Sequence, residues 1–180
     1  MGVDLDVIMD CSLTHLSPNE LVEYFNENLR LNFPTLTDVD ASKIKQYEWI
    51  FLEHEWGINL EFHSDVDFLF RSTVYREGAF YLSSICRWSL FLTDETWRIP
   101  ECETARMFGR FLNSKQIVYC PDCNAACELF EDAANFEGFM KLLREKYGLP
   151  EGEIEGDKLI PNPLKASKPD RWGYWIEYLK

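Results

Sequence analysis

The residues best suited to chemistry form one cluster, Cys120-Pro-Asp-Cys123-Asn-Ala-Ala-Cys127. Two thiolates two residues apart can share one Zn²⁺, because the turn between them points both sulfurs inward. Cys127 joins them if a helical turn follows. A closed site needs a fourth ligand, but no second Cys-x-x-Cys exists and His15, His54 and His63 are all distant in sequence. The same cluster admits thiol-redox chemistry, since a strand followed by Cys-x-x-Cys and a helix start lowers a thiol pKa. Its place, two-thirds along the chain after a run of strands, is not that of a thioredoxin-like unit. The simplest reading is of small apolar cysteines at a strand-to-helix corner, with Cys11, Cys86 and Cys102 as core thiols. No cofactor is expected; zinc on Cys120, Cys123 and Cys127 is the alternative.

Other catalytic combinations are weaker. His63-Ser64-Asp65 groups three catalytic residue types, but neighbours on a strand point to opposite faces, whereas triad members meet from different elements. Glu53-His54-Glu55 lacks the second His of a zinc-protease helix. Asp4/Asp6, Asp38/Asp40 and Asp65/Asp67 are carboxylate pairs of a kind that is usually solvated. There is no Gly-x-x-x-x-Gly-Lys loop and no Gly-x-Ser-x-Gly elbow. No motif assigns a reaction, and the reading leans away from an enzyme.

Charge is more informative. The chain of 180 residues has a net charge of −13. Residues 1–70 hold fourteen acids and three bases, while residues 71–180 hold seventeen acids and fifteen bases. Such asymmetry arises when acids solvate the outer faces of the first elements, or when they form a surface for a basic protein partner. Direct nucleic-acid binding is disfavoured, because phosphates require a concentrated basic footprint. No run of about 18 apolar residues is present, so no membrane span or membrane partner is expected. The opening MGVDLDVIMD has acids where a secretory signal has bases, which gives a cytoplasmic expectation.

The elements follow from periodicity. Val3, Leu5, Val7 and Met9 alternate with Asp4 and Asp6, which predicts a half-buried first strand. Ser17, Pro18 and Glu20 form a capping box, with Leu16 and Leu21 as its staple, and open a helix over 18–30. Glu20, Glu23 and Glu27 face water on it. Residues 31–47 read as a polar connection, and 48–92 as an antiparallel meander in which Arg87–Leu92 continues or pairs with the last strand. Helices are predicted over 100–112, 124–131 and 136–147, with a short strand at Gln116–Tyr119. Gly109 marks close packing. Residues 150–170 read as a long surface connection, and the aromatic tail from Trp172 docks as a last strand.

The segments TARMFGRFLNS, QIVYCPD and FEGFMKLLREKYGLP, within residues 97–150, resemble parts of a group of small bacterial proteins, some of them immunity-protein-like. The turn in that group reads Pro-Asp-Ser, so Cys123 departs from it, which weakens an essential metal or redox site. The resemblance carries over no catalytic residue.

The sequence therefore predicts one α+β domain over residues 1–180: a mostly antiparallel sheet with three to four helices packed mainly on one face. The expected function is that of a non-enzymatic acidic binding module, an immunity or inhibitor protein occluding a basic toxin through Glu20, Glu23, Glu27, Asp38 and Asp40. The alternatives are the cysteine-centred zinc or redox protein and an anti-defence or regulatory binding protein of a mobile genetic element.

Overall fold

The computed structural model describes residues 3–13, 16–28, 47–54, 57–64, 70–76, 78–122, 124–163 and 173–180. Its centre is strand β1 (Asp4–Asp10), antiparallel to β5 (Ala79–Arg87) on one side and to β6 (Gln116–Pro121) on the other. β2 (Tyr47–His54), β3 (Gly57–Ser64), β4 (Phe70–Arg76) and β5 form the expected antiparallel meander. Among the described residues the sheet has nine strands, in the order β2-β3-β4-β5-β1-β6-β9-β7-β8. β9 (Trp175–Tyr178) runs antiparallel to β6 and parallel to β7 (Gly152–Glu155). The aromatic tail thus docks inside the sheet, and the architecture is α+β with a mostly antiparallel sheet.

Strand periodicity divides the core in two. Leu5, Val7, Met9, Phe80, Leu82, Ile117 and Tyr119 enter the larger core, beneath α1 (Pro18–Asn28), α2 (Trp88–Thr93) and α3 (Glu95–Phe111). Ile8, Tyr81, Val118 and Ile176 enter the second core, beneath α4 (Asn124–Asp132) and α5 (Phe136–Tyr147). Three of the five described helices share one face, and the other two cover the opposite face. β1 is consequently buried on both faces, not half-buried, and Asp4 and Asp6 lie at 8% and 0% exposure.

Local signals explain most boundaries. The Ser17–Glu20 capping box forms: Ser17 N–H donates to Glu20 Oε2 at 2.7 Å, and Glu20 N–H to Ser17 Oγ at 3.4 Å. Leu21 is fully buried. Two expectations change. Residues 88–93 form helix α2, not a strand, because Trp88 and Phe91 meet the core from one helical face, three residues apart. α3 begins at Glu95, capped by Asp94 Oδ1 accepting from Thr96 N–H at 2.9 Å, so Pro100 lies inside it.

The 150–170 segment also contains more structure than a connection. β7 and β8 (Lys158–Pro161) pair as a hairpin through Gly156-Asp157. Arg106 clamps that turn, its guanidinium donating to the Gly156 carbonyl and meeting Asp157 at 3.4 Å. At Gly109 an added Cβ would collide with Leu179 and sit 3.2 Å from Ile117 Cδ1, so this glycine does mark close packing.

Candidate functional site

The acids singled out in the sequence are presented by α1. Glu20, Glu23 and Glu27 recur at intervals of three and four residues, which places them along one side of the helix. All three are exposed. An adjoining side is anchored: Leu21 enters the larger core, and Tyr24, one turn along from Glu20, stacks on Phe111 at 4.6 Å between centroids. The Tyr24 hydroxyl also donates to the Phe111 carbonyl at 3.2 Å. The three carboxylates are not equivalent, because Glu20 is engaged in the cap while Glu23 and Glu27 project beyond it. Asp38 and Asp40, the other two expected contact residues, lie outside the described residues.

Not every N-terminal acid contributes to the surface. Asp4 forms an ion pair with Arg87 at 2.7 Å. Asp6 lies in a row across three strands, with Ser83 on one side and Cys120 on the other. Burial, followed by the nearby charge of Asp122, holds its pKa well above the usual carboxyl range, and the hydroxyls of Tyr81 and Ser83 oppose this only in part. Neither Asp6 oxygen has a well-formed hydrogen bond among the described residues. Asp6 is therefore a buried acid on the side of the second core, with burial favouring its neutral form, and is no part of the exposed acidic surface.

The cysteine cluster is placed in part. Cys120 is 1% exposed, at the end of β6 in the second core, with its Sγ 3.7 Å from the Asp6 carbonyl oxygen. Cys123 lies outside the described residues, as does the side chain of Cys127 in α4. Among the described residues, no group of three His, Cys, Asp or Glu side chains is arranged to hold a metal ion. Cys11, Cys86 and Cys102 are buried free thiols, as expected of core cysteines. Burial is the main cause that raises their pKa values, to about 11, 12 and 12 respectively.

Two further features were not legible from residue spacing. At the far end of β1, an open groove of about 670 Å³ is bordered by Asp10, Lys115, Glu137 and Arg144. Its mixed signs give it no single field. On the opposite face of the sheet, Glu177 accepts from Arg106 Nε at 2.6 Å and from the Tyr119 hydroxyl at 2.8 Å. This network joins α3, β6 and β9 in the interior. No helix among the described residues is long and apolar enough to cross a membrane.

No family model, no curated protein and no solved structure matches the chain.

Proposed function

We propose that this protein is an acidic binding module that inhibits a basic protein, in the manner of an immunity protein neutralising a toxin. The observation that carries the reading is the geometry of α1. One side places Glu20, Glu23 and Glu27 in solvent, and the side next to it is fastened by Leu21 and Tyr24. A rigid line of like charge accelerates encounter with a basic surface and fixes the register of docking. The N-terminal charge excess supports the same reading. Within that line Glu23 and Glu27 are the stronger contributors, because the cap holds Glu20.

The test is co-expression with the product of each neighbouring gene. Neutralisation of a toxic, basic product by the wild type, and its loss in Glu23→Lys/Glu27→Lys, supports the proposal. Neutralisation that the double variant leaves intact contradicts the role of α1.

A further inference from the structure

Glu101 is the most unusual acid of the larger core. It lies on α3 at 1% exposure. The Ser84 hydroxyl of β5 donates to its Oε1 at 2.8 Å, and Oε2 has no hydrogen-bond partner among the described residues. Ser84 Oγ also accepts from the Cys86 N–H at 2.9 Å, so the hydroxyl links the helix to the strand backbone.

Among the described residues no cation compensates this carboxyl. On α3, Arg98 donates to the Phe91 and Leu92 carbonyls and to Glu95, and Arg106 is taken up by Glu177 and Asp157. On β5, Arg87 is paired with Asp4 of β1. The Cys86 thiol of β5 feels the Glu101 charge, and burial raises its own pKa to about 12, so it stays neutral. On α2, the Trp88 indole is uncharged, and its Nε1 is itself buried without a hydrogen-bond partner among the described residues. Tyr119 of β6 is also uncharged and faces Glu177 of β9.

We infer that Glu101 is a protonation latch: neutral, it lets α3 pack on the sheet, and ionised, it is a buried charge that the Ser84 hydroxyl alone does not offset, which loosens the larger core. An ionised carboxylate in that position is a buried charge with one hydroxyl partner, which is strongly unfavourable. Burial raises the Glu101 pKa from 4.5 to about 7, outweighing the opposing effect of the Ser84 hydrogen bond. The latch therefore operates near neutral pH. α1 is coupled to it, because Tyr24 rests on Phe111, the last residue of α3.

The sign follows from linkage. Between pH 4.5 and about 7 the unfolded chain has lost this proton while the native state retains it, so stability falls as pH rises. Urea unfolding from pH 5 to 8 reads it directly. In the wild type Glu101 raises the unfolding constant by roughly two powers of ten across that range. Glu101→Gln, which keeps the shape without the charge, removes that part of the rise and is the more stable protein at pH 8. Ser84→Ala deletes the hydroxyl that favours the ionised form, and moves the midpoint of the pH dependence upward. At pH 8 the Cys86 and Cys102 thiols of the wild type are alkylated faster than those of Glu101→Gln. Equal pH slopes for wild type and Glu101→Gln, or a Ser84→Ala midpoint that is unmoved or lowered, would overturn the inference.

Discussion

Asp6 and Glu177 show how differently two buried acids behave. Glu177 is satisfied by Arg106 and Tyr119. Removing the Tyr119 hydroxyl strips one donor from a buried acid, so Tyr119→Phe is expected to cost about 1.5–3 kcal/mol in urea unfolding. Asp6 has no cation beside it among the described residues, and burial raises its pKa. A carboxyl with a raised native pKa keeps its proton longer in the folded state than in the unfolded chain. Its cost is absent at low pH and grows as pH rises above the unfolded value, until the native group ionises. Asp6→Asn should therefore stabilise the protein at pH 7, by about 1–3 kcal/mol, with the gain shrinking toward pH 4. A gain that is independent of pH would mean that Asp6 is ionised in the fold. Alternation of Asp4 and Asp6 with apolar neighbours correctly signalled a strand. It could not reveal the second layer of helices, because the covering residues come from α4 and α5, more than a hundred positions away.

At the scale of elements, legibility followed how local the determining interaction is. The first helix was readable because its cap, staple and apolar side lie within a few residues of one another. α5 was readable for the same reason: Phe136, Phe139, Met140 and Leu143 repeat at helical spacing and are all buried. α2 was misread because six residues with two large aromatics fit either period until the tertiary partner is known. The start of α3 was displaced because Pro100 resembles a first-turn residue, whereas Asp94 provides the cap. The β7–β8 hairpin was missed although Glu153, Ile154 and Glu155 alternate beside Gly156-Asp157, a turn signal outweighed by the surrounding charge and proline. Its position depends on Gly152, where an added Cβ would strike the Ile160 carbonyl and the Trp175 ring. Backbone cannot move aside as a side-chain tip can. Gly152→Ala is thus expected to cost about 1–3 kcal/mol, and to raise hydrogen exchange in β7 and β8 first. Unchanged exchange there would show that the hairpin tolerates the shift.

For the whole molecule, the net charge of −13 is unevenly distributed. Part of the N-terminal excess is internal, since Asp4 is paired and Asp6 is buried, and the part on α1 is displayed. That division sharpens the proposed acidic face to Glu23 and Glu27, with Glu20 as the residue that orders them. Both are exposed, so Glu23→Lys/Glu27→Lys should leave stability within about 0.5 kcal/mol of wild type. The decisive measurement is the association rate with the neutralised basic partner, by stopped flow from 50 to 500 mM salt, for the wild type and this double variant. The account predicts a wild-type rate that falls at least tenfold over this range and a double variant that is slow and nearly salt-independent, with roughly similar dissociation rates. A wild-type rate indifferent to salt, or a double variant that associates as fast as the wild type, would contradict it.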